Sequence, residues 1–187
     1  PIVGYGMNAV ATIPAILALC LALAAAFTDW RRGQIPNWLT LPPLVIAPLA
    51  YGLALGAEPA LRCVWAAALS GFVPYLLFRR GVMGGGDVKL LTALGATTGF
   101  DLVGGIEIQL IAVAAAMLVA FAALAWDGSL LRTVADAFLQ VAKPILPARW
   151  RRAPCDALHT RVRLGGAILF ATAVFVSPHL SLAWTAR

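Results

Sequence analysis

The chain has 187 residues, of which 61% are hydrophobic and 12% are charged, and its mean hydropathy is +0.88. Soluble domains carry about 45–50% apolar and about 25% charged residues, so this composition excludes a water-soluble globular protein. The three cysteines, an odd number without a CxxC pair, are typical of neither a disulfide framework nor a zinc knuckle. The net charge of +6 includes no basic stretch interleaved with aromatic residues in an aqueous segment, so no nucleic-acid partner is expected.

Five apolar segments are long enough to cross about 30 Å of hydrocarbon as helices. They cover residues 8–28, 38–57, 61–79, 103–126 and 164–184. A sixth segment, residues 88–100, would reach only about 20 Å as a helix, and we interpret it as a short span that follows a glycine-rich loop. The predicted fold class is therefore all-α: a polytopic integral membrane protein with about six transmembrane helices, forming one membrane-embedded domain over residues 1–187.

The first apolar segment is interpreted as a mature helix and not as a signal peptide. It has no basic region before it and no A-x-A site after it. With six spans, the 14 Lys and Arg residues fall on one side of the membrane, except for Arg62 and Arg187. By the positive-inside rule that side is cytoplasmic. We therefore expect a multi-pass protein of the inner (cytoplasmic) membrane with both termini outward, and anionic membrane lipid as a partner.

The longest polar region, residues 127–163, is predicted to be a cytoplasmic loop between the last two spans. Apolar residues recur in it at helical spacing and predict an amphipathic helix that lies in the membrane interface: Leu130, Leu131, Val134, Phe138 and Val141.

Two acidic residues lie at the predicted cytoplasmic ends of spans. Asp29 ends the first span, and Asp87 follows the glycines Gly84, Gly85 and Gly86. Placing a carboxylate within the membrane costs about 2.5–3.5 kcal/mol of insertion free energy, so the position of each aspartate calls for an explanation. Taken alone, Asp29 is explained as an interfacial charge and Asp87 as a cap of the short helix. Three consecutive residues without Cβ instead favour a loop whose backbone approaches another segment closely.

If the two aspartates face each other across a cavity, the pair has the composition of an aspartyl protease. Two nearby carboxylates do not both ionise easily, so one keeps a proton while the other takes a proton from water. The ionised member would act as general base, and the protonated member would donate to the peptide carbonyl and the leaving amine. This chemistry needs no metal or other cofactor. A metal site is disfavoured because His159 and His179 lie far along the chain.

Two segments resemble motifs of the type IV prepilin peptidases. Residues 29–37, D-W-R-R-G-Q-I-P-N, resemble the D-x5-I-P-N segment of that family, and residues 84–91, G-G-G-D-V-K-L-L, resemble its G-x-G-D-V-K-L motif. The resemblance covers residues 10–126. It implies a membrane aspartyl endopeptidase that cuts the short basic leader from prepilins or pseudopilins at the cytoplasmic face, with Asp29 and Asp87 as the catalytic pair.

The resemblance also implies residues that shape the loops or bind substrate: Gly84, Gly85, Gly86, Lys89, Pro36 and Asn37. We expect Pro36 and Asn37 to start the second helix, proline through its fixed φ and asparagine by capping free N–H groups.

The chain departs from the larger family members in two places. Those carry a long insertion with paired CxxC motifs between the first two helices, associated with N-methylation of the new pilin terminus. Here about nine residues separate the two spans, so methyltransferase activity is not expected. The compact form is more similar to the Flp or tight-adherence branch, or to an archaeal preflagellin peptidase. The last span starts with R-L-G-G at residues 163–166 in place of a Pro-containing start, so the resemblance does not predict how this helix packs against the others.

The sequence does not decide whether the protein forms a homo-oligomer.

Three alternatives remain at this stage. A small transporter or channel subunit would use the two acids as an ion relay, although Asp101 and Glu107 lie near the outer end and nothing ionisable lies at mid-membrane. A structural subunit of a secretion apparatus would use them only as helix caps and interface anchors. Proteases of the presenilin or signal-peptide-peptidase kind share GxGD, but they place a tyrosine before the first aspartate, where Thr28 stands here.

Overall fold

The computed structural model describes residues 3–81, 83–99, 101–126, 128 and 164–185. Over these residues the chain forms helices without any strand, and the predicted all-α class is confirmed. The helices are α1 (Val3–Arg32), α2 (Asn37–Leu55), α3 (Ala57–Arg79), α4 (Gly85–Thr97), α5 (Gly104–Trp126) and α6 (Leu164–Thr185). The amphipathic helix predicted within residues 127–163 lies outside the described residues.

The described residues belong to two compact units. Residues 3–115 and 164–185 are in the first, and residues 116–126 with Gly128 are in the second, where the chain is helical as far as Trp126. All residues of the site described below lie in the first unit.

Within the described part of the chain, four helical segments are long and apolar enough to cross a membrane: Thr12–Arg32, Asn37–Leu55, Ala57–Arg79 and Gly104–Ala122. Helices suit this solvent because they satisfy their backbone N–H and C=O groups internally. Their outward faces are apolar, and Leu53 on α2 is 90% exposed, which would be costly in water and is favourable in lipid. The protein is therefore a multi-pass membrane protein.

The short helix α4 is shielded by its neighbours. It packs against α1, α2 and α3, and its side chains Leu90, Leu91 and Leu94 are almost completely buried. Its 13 residues reach about 20 Å, which is too short to cross the hydrocarbon alone. Burial among longer helices explains why such a short apolar segment is stable as a helix.

Small residues set the distance between the helices. Alanines at 15, 18, 22 and 25 give α1 a flat buried face, and α6 packs along that helix. A Cβ added at Gly95 of α4 would overlap Ser70 of α3 and lie 2.8 Å from the Ala66 carbonyl oxygen. Close approach through small residues is the usual way in which membrane helices gain packing energy without a hydrophobic driving force.

Candidate active site

Asp29 lies in the last turn of α1, where the helix is ended by a glycine. The N–H of Gly33 donates to the Asp29 carbonyl oxygen at 2.8 Å, and Gly33 has φ +63°, the left-handed conformation that closes a helix C-terminus. Trp30 is 73% exposed, whereas Asp29 is half-buried. The end of α1 thus directs the aspartate towards the neighbouring helices and the tryptophan away from them.

Asp87 is the third residue of α4, after Gly84 at the N-cap position. Its carboxylate accepts a hydrogen bond from the Gly84 backbone N–H, the return half of a capping box. A Cβ at Gly84 would lie only 3.0 Å from Asp87 Oδ2. The capping role considered for Asp87 and a chemical role are therefore compatible, because one hydrogen bond leaves other lone pairs of the carboxylate free.

The two aspartates interact electrostatically. Asp87 lies outside the four candidate spans, and the pKa of its carboxyl is raised from the ordinary value of 3.8 to about 6. Burial is the largest cause of this rise, the negative charge of Asp29 contributes to it, and the hydrogen bond from Gly84 acts in the opposite direction. A carboxyl that is both desolvated and close to a like charge favours its protonated form. The structure thus brings together the two acids that the sequence singles out, 58 positions apart.

The segments that carry the two aspartates contact each other through residues of the same motifs. A Cβ at Gly86 would lie 3.1 Å from the Cβ of Ile35, so the glycine lets the chain before α2 pack directly on the start of α4. A Cβ at Gly85 would lie 3.2 Å from the ring of Phe78 on α3. The start of α4 is therefore closely packed on both sides.

A polar bridge accompanies this contact, and it corrects one expectation. Lys89 Nζ donates to Asn37 Oδ1 at 2.8 Å. Asn37 was expected to cap α2, and this is wrong: Pro36 holds the N-cap position with φ −74° and ψ 146°, without a side-chain cap hydrogen bond. Asn37 is already the first helical residue, and its carboxamide oxygen bonds the lysine of the other motif.

The start of α6 supplies a contact that the sequence did not predict. The N–H of Gly165 donates to Asp29 Oδ2 at 3.2 Å, across 136 positions of the chain. The glycines at the start of the last span are visible in the sequence, but nothing in their spacing indicates that Asp29 is the hydrogen-bond acceptor.

The described residues contain no group of three or more His, Cys, Asp or Glu side chains that could hold a metal ion. His179 lies in α6, and His159 falls outside the described residues.

The fold and the site define a multi-pass helical membrane protein in which two interacting carboxylates lie where two helix ends meet. Comparison with known proteins gives the family. The type IV leader peptidase family matches residues 16–126, more than half of the chain, and the chain belongs to that family. Prepilin peptidase EppA of Methanothermobacter thermautotrophicus is 34% identical over 82 residues, which cover 42% of this chain and 21% of that protein. The chain thus matches about a fifth of that relative's length. No solved structure matches the chain.

Proposed function

We propose that this protein is a membrane aspartyl endopeptidase that removes the short basic leader from Flp-like type IV prepilins or from pseudopilins. Membership of the type IV leader peptidase family supports peptide cleavage, and the partial match to a prepilin peptidase supports this substrate class. The observation that carries the mechanism is the electrostatic interaction between the carboxylates of Asp29 and Asp87.

In the proposed reaction the two carboxylates divide the work. Asp29 accepts a proton from a water molecule as the water oxygen attacks the carbonyl carbon of the scissile peptide bond. Asp87 is the better candidate for the protonated member, because burial and the nearby charge raise its pKa. It donates a hydrogen bond to the carbonyl oxygen as negative charge develops there. When the C–N bond breaks, Asp87 passes its proton to the leaving amine, and Asp29 keeps the proton taken from water, so the pair again holds one proton and no covalent intermediate forms.

The other motif residues are proposed to hold this geometry. The contact of Ile35 with Gly86 and the bridge between Asn37 and Lys89 join the segment after Asp29 to the segment around Asp87. A misplacement of about 1 Å between reacting groups lowers a rate about 100-fold. Pro36 supports the same turn through its fixed φ.

The proposed active site faces the cytoplasm from the inner membrane, with both termini outward, because the basic residues flank the ends of α1, α3 and α4 near the two aspartates. Only residues 33–36 connect α1 to α2, and they include no cysteine. This short connection leaves no room for the CxxC insertion of larger members, so we propose cleavage without N-methylation. Prepilin and membrane lipid are the proposed partners.

Leader cleavage by purified protein in liposomes tests this proposal. A Flp-type prepilin, a larger type IV prepilin and a pseudopilin are each incubated with the parent protein, Asp29→Asn, Asp87→Asn and Asp101→Asn. Asp101 is the matched control, because its Oδ1 also accepts a hydrogen bond from a backbone N–H, that of Val103 just before α5. We expect leader loss with the parent and Asp101→Asn, and none with the other two variants.

Two results would reject the proposal. One is cleavage near the parent rate by Asp29→Asn or Asp87→Asn. The other is that the folded parent protein cleaves none of the three substrates, a result that would favour a transporter or a structural subunit.

A further inference from the structure

The first turn of α6 lies against the aspartate of α1. Helix α6 begins at Leu164, and the backbone N–H groups of a first helical turn have no acceptor within their own helix. One of them, on Gly165, finds its acceptor in Asp29 Oδ2 at 3.2 Å. This helix lies outside residues 16–126, the part of the chain that matches the family.

The contact leaves no space for a side chain at residue 165. An added Cβ would lie 2.7 Å from Asp29 Oδ2, 3.0 Å from its Cβ and 3.2 Å from its Cγ. At the adjacent Gly166 an added Cβ would meet no neighbouring atom of the described residues within 4 Å. The two neighbouring glycines therefore differ in their surroundings: of the two, only Gly165 lies so close to the Asp29 carboxylate that a side chain would collide with it.

Helix α6 has no ionisable side chain in its first turn. The sole ionisable side chain of that helix is His179, fourteen positions further on. On α1 itself, the guanidinium of Arg31 lies over the ring of Phe27, 5.0 Å from its centroid. The donor that reaches the Asp29 carboxylate from α6 is thus a backbone N–H at the positive end of a helix dipole, which favours an anionic acceptor.

We propose that Gly165 is a positioning residue of the catalytic centre, whose N–H fixes the Asp29 carboxylate in the orientation that faces Asp87. This inference rests on the proposed peptidase function. It assigns to the last helix a direct part in the site: α6 holds the general base in place, while α4 supplies its partner. The pair therefore depends on three helices and not on the two that carry the aspartates.

The test compares alanine at the two glycines. In the liposome cleavage assay, Gly165→Ala is expected to lower kcat about 10- to 100-fold, the effect of moving a reacting group by a fraction of an ångström to an ångström. KM is expected to stay within about twofold, because the substrate-binding surface is unchanged. Gly166→Ala is expected to keep the parent kcat. Thermal unfolding of each variant in detergent shows whether it is folded.

A second pair of variants removes the hydrogen bond without adding a side chain. Replacing the peptide N–H of residue 165 by an ester oxygen, through incorporation of glycolic acid, deletes the donor to Asp29. The same replacement at residue 166 is the matched control, because it alters a neighbouring peptide group of the same first turn. We expect kcat to fall at least tenfold for the ester at 165 and to stay near the parent value for the ester at 166. This pair decides the question if Gly165→Ala does not fold.

Equal kcat values for the two ester variants would overturn the inference and leave the peptidase proposal standing, since the parent would still cleave. The same conclusion follows if folded Gly165→Ala cleaves as fast as Gly166→Ala. Absence of turnover by the parent itself is a different result: it would reject the peptidase function, and the role of Gly165 with it.

Discussion

Replacing Asp87 by asparagine is expected to stabilise the protein at neutral pH while removing its activity. In the folded protein, burial and the charge of Asp29 raise the pKa of Asp87 from 3.8 to about 6. The unfolded chain therefore ionises this carboxyl more readily than the folded one. As the pH rises from about 4 to about 6, the parent protein loses stability, and the loss is complete above the folded pKa. Asparagine has nearly the same shape and does not ionise, so the variant escapes this loss.

The magnitude follows from the two pKa values. A rise from 3.8 to about 6 corresponds to about 3 kcal/mol, at about 1.36 kcal/mol for each tenfold change in proton affinity. Asp87 is half-buried, so solvent screening reduces the figure to about 1–2 kcal/mol. We therefore expect the stability of Asp87→Asn, relative to the parent, to increase by about 1–2 kcal/mol between pH 4 and pH 7.5.

The assay is reversible unfolding in mixed detergent micelles at a series of pH values, followed by circular dichroism. Asp29→Asn is a second informative variant: it removes the charge that helps to raise the folded-state pKa of Asp87, so the stability loss should still begin near pH 4 but should end at lower pH and be smaller. Asp101→Asn controls for the loss of a carboxylate elsewhere. Parallel stability curves for Asp87→Asn and the parent across pH 4–7.5 would refute the reasoning, because they would show that Asp87 is not perturbed.

Three further sets of substitutions test the surroundings of the pair. Gly86→Val is expected to lower kcat/KM at least tenfold, because the added side chain would collide with Ile35. Ile35→Ala in the same chain should restore part of the activity. An unchanged kcat/KM for Gly86→Val would show that the start of α4 is not closely packed. Lys89→Met and Asn37→Ala should each slow cleavage several-fold yet change the free energy of unfolding by less than about 1 kcal/mol, since their bridge is exposed. Fully additive effects in the double variant would contradict the bridge. Gly95→Ala should destabilise the fold by about 1–3 kcal/mol in detergent unfolding, and a neutral result would disprove the close crossing of α3 and α4.

The helices could be predicted because the thickness of the hydrocarbon sets their length. Residues 103–126 were predicted as a span, and α5 runs over Gly104–Trp126. Two helices begin at least four residues earlier than predicted: α1, predicted over residues 8–28, runs over Val3–Arg32, and α3, predicted from residue 61, begins at Ala57. The predicted start of α3 leaves out the first turn, which holds the charged Glu58, although the predicted span includes the charged Arg62. In the helix these two side chains lie one turn apart and form an ion pair at 2.6 Å, so the charges are compatible with helical structure.

The aspartates themselves could be found from sequence, because an acidic residue beside hydrocarbon is costly and the glycines before Asp87 have no simple role. The contacts that surround the two aspartates could not be predicted in this way. Local rules predict that Asn37 caps its own helix, but the carboxamide oxygen of Asn37 accepts a hydrogen bond from Lys89, 52 positions away. Gly165 is further still from Asp29 along the chain. Such contacts depend on how the helices pack, which spacing along one segment does not encode.

The central claim is that Asp29 and Asp87 act as one catalytic unit, and the kinetics of the double variant test it most directly. Single-turnover leader cleavage is measured in liposomes for the parent, Asp29→Asn, Asp87→Asn and the variant that carries both substitutions. Residues that act together give effects that are far from additive, so the double variant is expected to be no slower than either single variant. If the two single variants keep measurable cleavage and the double variant loses the product of their separate factors, the aspartates act independently and the dyad is contradicted.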